Sequence, residues 1–195
     1  MKNYRLPGIL ILVLLMLIAV PAMSSHVFAQ KPKAKTLSRQ FPVPKDWDYI
    51  YDKKKGYGFY VPTGSTMDGE TYKGVDVTGL TTPTNVDIYV IAFKDKTLTK
   101  EDLLETAVLF LEELGHKVAP GTLKAESEDY AIADATSTHA EFGKSKLRVL
   151  VGTDISDNYI MIIGATVKNF DANEKIIDTI WGSFEMWSGG ASGKN

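Results

Sequence analysis

The sequence predicts an α+β domain built from several antiparallel strands and two amphipathic helices, and three stretches carry that prediction. In residues 158–167, Tyr159, Met161, Ile163, Ala165 and Val167 fall on one side of a strand, and Ile160, Ile162 and Gly164 on the other. Both sides are apolar or small, the pattern of a central strand covered on both faces. Residues 99–115 read as one capped helix. Residues 176–184 place Ile176, Ile177, Ile180, Trp181 and Phe184 at three- to four-residue spacing, an apolar stripe for a helix lying on a sheet. With 195 residues, 44% of them hydrophobic and 24% charged, the chain can bury one ordinary core.

The first 29 residues predict a secretory signal. Lys2 and Arg5 give a basic start, residues 6–20 are apolar, and Val27-Phe28-Ala29 fits small-x-small cleavage before Gln30. Pro7 and Pro21 bracket an apolar core of 13 residues, short of the roughly 20 that a spanning helix needs. Cleavage is therefore expected, leaving no stable membrane span and an exported, periplasmic or extracellular protein. The chain carries 22 basic and 24 acidic residues, and losing Lys2 and Arg5 leaves 20 against 24, a net charge of −4. Such a balance favours solubility and predicts no nucleic-acid partner. Cysteine is absent, which excludes disulfides, thiolate metal sites, a cysteine nucleophile and a lipoprotein anchor.

Residues 30–45 read as a basic linker, with Lys31, Lys33, Lys35 and Arg39 among Pro32, Pro42 and Pro44. A single domain is expected over 46–187, followed by a Gly/Ser-rich tail at 188–195. The domain opens with a β-hairpin. Trp47, Tyr49 and Tyr51 alternate with Asp48, Ile50 and Asp52, Lys53-Lys54-Lys55-Gly56 turns, and Tyr57, Phe59 and Val61 return. Residues 71–82 and 85–94 predict a second antiparallel pair joined through Pro83.

In the helix at 99–115, Thr99 and Asp102 have capping-box spacing, and Leu103, Leu104, Ala107, Val108, Leu111 and Leu114 form the buried stripe. Gly115 provides the stop. Three strands follow, near 128–139, 145–154 and from Tyr159, with turns at Gly143-Lys144 and Ser156-Asp157-Asn158. Ala131, Ala133 and Ala135 share one face, small enough for a helix to pack close. The last helix is expected to open on a capping box of Asp171 and Glu174.

Chemistry is sparse. His116 and His139 are the histidines of the mature chain. His139, Glu141 and Asp134 do not make a convergent ligand set, so no metal is expected. Ser183 lies inside a predicted helix and no G-x-S-x-G occurs. Gly193-Lys194 ends nothing like a complete phosphate loop. Asp154 and Asp157 on one loop read as a solvated turn in preference to a calcium site. No cofactor or catalytic residue is predicted.

The order of elements is suggestive: Tyr51…Gly56-Tyr57-Gly58-Phe59…Pro62, then 86–93, a helix opening Thr99-Lys100-Glu101-Asp102-Leu103, then 159–167, Asn169-Phe170 and Ile180-Trp181-Gly182-Ser183-Phe184. Over about residues 49–187 the chain resembles the Mog1/PsbP-like group, which includes the photosystem PsbP proteins and bacterial exported proteins. The resemblance implies a central antiparallel β-sheet covered by two main helices and an N-terminal hairpin layer, an α/β/α sandwich. It also implies a binding or assembly role without catalysis. Neither His116 nor His139 matches the photosystem proteins' metal or docking histidines, so a photosynthetic role is not implied. The expectation is an exported, non-catalytic protein that meets a protein partner through Trp47, Tyr49, Tyr51 and Tyr57 and the adjacent sheet edge. The alternative is a small-ligand or lipid carrier lined by Met161, Trp181, Phe184 and Met186. A hydrolase using His139 or Asp134 stands behind both.

Overall fold

The computed structural model describes residues 35–36, 41–95, 97–154 and 157–187. The predicted signal, most of the linker and the 188–195 tail lie outside the described residues. In chain order the elements are β1 (Lys35–Thr36), β2 (Asp48–Asp52), β3 (Tyr57–Val61), β4 (Thr66–Tyr72), β5 (Val75–Thr81), β6 (Asp87–Lys94), α1 (Lys100–Glu113), β7 (His116–Pro120), β8 (Lys124–Ala125), β9 (Tyr130–His139), β10 (Gly143–Asp154), β11 (Asp157–Thr166), α2 (Val167–Ala172), α3 (Glu174–Gly182) and β12 (Glu185–Met186).

β11 sits in the middle of the large sheet, whose order is β4-β5-β6-β11-β10-β9-β7, with β8 also on β9. Every pairing is antiparallel. Its side chains divide as the alternation predicts. Tyr159, Met161, Ile163 and Ala165 enter one core, with α3, β3 and Phe184. Ile160 and Ile162 enter the other, with Leu103, Ala107, Phe110 and Leu111 of α1. Burying each such side chain contributes about 1.5–3 kcal/mol, which is why this strand anchors the register on both sides. Gly164 leaves room for Leu147, whose Cδ2 would lie 2.6 Å from an added Cβ. The architecture is the expected α+β sandwich: α1 on one face, and α2, α3 and a second sheet on the other. That second sheet has the order β1-β12-β3-β2.

Local chemistry explains the helix ends. Thr99 accepts from the Asp102 N–H at 3.2 Å, and the Asp102 carboxylate accepts from the Thr99 N–H at 2.8 Å. Those two bonds complete the predicted capping box. Gly115 follows at φ 88°, left-handed backbone that glycine adopts without strain. The buried stripe also includes Phe110.

Three expectations are corrected and one unexpected strand is added. The strand predicted over 71–82 is two strands, because Lys73 and Gly74 take φ of 48° and 81° and turn the chain between Tyr72 and Val75. Two successive positive φ values make the tight hairpin turn whose twist matches the strands. Residues 116–120 form β7, paired with β9. That strand is short and half-exposed, so its own sequence carries little signal. The turns read at Gly143-Lys144 and Ser156-Asp157-Asn158 shift: Gly143 and Lys144 open β10, and Asp157 and Asn158 belong to β11.

The third correction is the Asp171–Glu174 capping box. Thr166, at the very end of β11, caps first by accepting from the Asn169 N–H, so the helix starts at Val167. Asp171 falls inside α2, where it pairs with Lys146 at 2.6 Å. Asn173 divides α2 from α3 without a side-chain cap.

Within the segment read as a linker, Lys35 and Thr36 pair with Met186 and Glu185, and Phe41 packs edge-on against Trp181 at 5.7 Å between ring centres. An added Cβ on Gly182 would collide with the Phe41 ring. The packed unit therefore begins upstream of residue 46.

Phe184→Ala removes a fully buried ring and is expected to cost about 3–5 kcal/mol, while Thr99→Ala costs about 1 kcal/mol through the lost cap. Urea denaturation of both variants would show the larger midpoint shift for Phe184→Ala. The reverse order would mean that the aromatic layer is not the main support.

Candidate functional site

The hairpin sheet has two faces, and period-two alternation divides its aromatic rings between them. In β3, Tyr57, Phe59 and Val61 point inward. Tyr57 is 1% exposed. Its ring stacks on Phe184 at 6.0 Å and its hydroxyl lies 2.7 Å from Thr78 Oγ1. Burial pushes its phenol up to about 12, against the opposing effect of the Thr78 hydrogen bond. Tyr57 is therefore a core residue and leaves the predicted contact set. Trp47 is half-buried and packs against the same core.

Tyr49, Tyr51 and Tyr60 occupy the outward face. Tyr49 stands directly opposite Tyr60 across the hairpin, with ring centres 4.8 Å apart. Tyr51 stacks beside Tyr49 at 5.9 Å and is 42% exposed. Tyr49 extends over Gly58, where an added Cβ would run into its phenol, and donates to Glu185 Oε2 at 3.1 Å. Glu185 is 4% exposed and lies in β12, next to Gly58. Burial, then the Glu185 charge, holds the Tyr49 phenol well above its usual value.

The result is a tyrosine surface with a buried carboxylate beneath it. Tyr49 and Tyr51 are the expected members of this surface, and Tyr60 and Glu185 join them. Alternation in β3 signals Tyr60, whereas nothing local signals Glu185, which arrives from 125 residues further along the chain.

The other candidates disperse. His139 and Asp134 occupy positions of opposite parity on β9, so their side chains do not converge. Asp134 pairs with Arg148 at 2.8 Å, and Arg148 also reaches Asp178 at 2.5 Å. Nδ1 of His139 accepts from the Glu141 and Phe142 N–H groups at 3.1 and 3.2 Å, closing the 140–142 turn. His116 stands opposite it, ring centres 5.0 Å apart, with Nδ1 3.1 Å from Ser137 Oγ. Ser183 is structural: it accepts from the Tyr60 N–H at 3.0 Å and donates to the Ile180 carbonyl at 2.8 Å.

Asp157 pairs with Lys94 at 3.6 Å. Among the described residues no group of three or more His, Cys, Asp or Glu gathers in metal-holding geometry, and no helix is long and apolar enough to cross a membrane. Met161, Trp181, Phe184 and Met186 are all buried in one core. Phe184 packs against Tyr57, Phe59 and Tyr159.

No protein-family model and no curated protein matches the chain. Solved structures do. The solution structure of cyanobacterial PsbP (CyanoP) from Synechocystis sp. PCC 6803 matches with a TM-score of 0.57 at 20% identity, over 77% of this chain and 98% of that one. A crystal structure from Bacteroides thetaiotaomicron VPI-5482 matches at 0.46 and 11% identity, over 74% of this chain and 50% of that one. LpqN, described as involved in cell envelope biogenesis of Mycobacterium tuberculosis, matches at 0.39 and 13% identity, over 76% and 83%. The chain has the Mog1/PsbP-like fold.

One pH effect follows from the histidine pair. Burial, then the neighbouring His139, lowers the His116 pKa from its usual 6.5. A depressed folded value means that its contribution to stability is intact above 6.5 and is lost as the pH falls through the lower folded value. His116→Asn should therefore show a smaller loss of denaturation midpoint between about pH 7.5 and 5.5 than the parent chain. Equal losses would show that His116 titrates alike in both states.

Proposed function

We propose that this is an exported, non-catalytic binding or assembly protein that recognises a protein partner through Tyr49, Tyr51 and Tyr60 on the outer face of the hairpin sheet. The observation that carries the reading is the clustering of three tyrosine rings on one sheet face, stacked beside and across from one another. Tyrosine supplies large contact area with few rotatable bonds and a polar tip, and it is enriched where proteins meet. β2 borders the sheet as an edge strand, so an extended partner segment could add beside the rings. Export is supported by the character of residues 1–29, and the fold likeness adds a scaffold on which a binding role is the expected one.

The mature chain, 30–195, serves as bait against an extract of its own host, beside Tyr51→Ala/Tyr60→Ala. A specific partner should be retained by the parent and lost by at least about tenfold in the double variant, whose thermal midpoint stays within a few degrees. Retention of the same partner by both proteins would remove the tyrosine face from the contact. Tyr57→Ala serves as the core control, which is expected to lose cooperative unfolding.

A further inference from the structure

Opposite the tyrosine face, on the α1 side of the large sheet, an open groove of about 470 Å³ runs between α1 and the 121–123 connection. Backbone constraints make it. β7 pairs with residues 135–139 of β9, and β8 pairs with 131–132 on the same edge. The chain must step off the sheet between them. Pro120 ends β7 without a backbone donor, and Gly121 passes so close to β9 that an added Cβ would strike the Asp134 carbonyl. The step leaves Leu123 facing the flank of α1, half-buried beside Leu104. Leu104, Val108, Pro120 and Leu123 form the apolar part of the lining, and Glu101 and Glu105 are its charged part.

The rim is acidic for a structural reason. Glu101 and Glu105 are exposed and four residues apart, on one flank of the helix. The nearest cation on the helix, Lys100, is turned away and donates to the Ser127 and Glu128 carbonyls at 3.2 and 2.6 Å. Lys124, one residue past Leu123, is exposed at the end of the connection, and with it counted the rim remains net negative. Leu109, 43% exposed, extends the apolar surface along α1 towards the exposed Glu112.

We propose that this groove is a second docking surface, and that its occupant is a cationic amphipathic helix of a partner protein. This goes beyond the tyrosine-face reading and does not depend on it. The apolar lining calls for apolar anchors at i, i+3 and i+4, the helix-in-groove mode. Lysine or arginine four residues apart on the incoming helix matches the spacing of Glu101 and Glu105. The same carboxylates repel an anionic lipid surface, which leaves protein as the complementary occupant.

The probe is a fluorescein-labelled, 14-residue amphipathic peptide of leucine and lysine at helical spacing, titrated with the mature chain and followed by anisotropy. Saturable binding is expected, weakened by about tenfold or more in Glu101→Lys/Glu105→Lys and in Val108→Asp. Glu101→Gln/Glu105→Gln, which removes charge with less risk to the fold, should weaken it in the same direction. Asp48→Lys/Asp68→Lys, remote exposed charges on β2 and β4, and Tyr51→Ala/Tyr60→Ala should leave binding within about twofold.

Equal weakening by the remote pair would overturn the proposal, because the attraction would be that of the whole chain's charge. Equal binding of a peptide with glutamate in place of lysine would overturn it as well. A concentration-dependent mass that Glu101→Lys/Glu105→Lys abolishes would mean that the groove holds a second copy of this chain, and would also overturn it.

Discussion

The aromatic joint between Tyr57, Tyr159 and Phe184 is what the rest of the structure depends on. Phe184 stacks on Tyr57 at 6.0 Å and meets Tyr159 edge-on at 6.1 Å. Tyr159 belongs to the central strand, Tyr57 to the hairpin, and Phe184 to the segment leaving α3. The joint is apolar through its rings and polar at its tips, because the Tyr159 hydroxyl donates towards the Lys55 and Gly56 carbonyls at 3.3 Å. Aromatic pairs of this kind contribute about 0.5–1.5 kcal/mol beyond the area they bury. The larger effect is geometric: the joint holds a small sheet in one orientation over a large one.

That orientation produces the tyrosine surface. A strand with one face packed inward must turn its alternate residues outward. Sending Tyr57 and Phe59 into the joint therefore obliges Gly58 and Tyr60 to face away. Gly58 then leaves the space through which Tyr49 reaches Glu185. The carboxylate remains within a sheet of tyrosines because a phenol donates to it, and a buried polar group needs such a partner. The tyrosine face and the core are two consequences of one register.

The opposite side follows a different logic. α1 sends Leu103, Ala107, Phe110 and Leu111 into a core shared with Leu147, Val149, Ile160 and Ile162 of β10 and β11. Close packing on one flank, combined with the step from β7 to β8 on the other, opens the acidic groove. Two surfaces of different chemistry, aromatic on one side and apolar with carboxylates on the other, are thus separated by one sheet. The fold itself is compatible with many activities.

Much of this was legible in the residues. The two-sided burial of β11, the Thr99–Asp102 cap and the stop at Gly115 are local patterns whose physical causes lie within a few residues of each other. The split at Lys73-Gly74 was less visible, because lysine seldom takes positive φ and gave no turn signal. The Asp171 cap failed because Thr166 offered an earlier one. Tertiary structure alone decided which tyrosines turn away from the core, since period-two alternation states that neighbours differ and not which side is inside. It alone brought Glu185 to Tyr49 across 136 positions of sequence, and it alone placed Leu123 opposite Leu104. Those contacts join segments that no local preference relates, so only the packing of the whole sheet could set them.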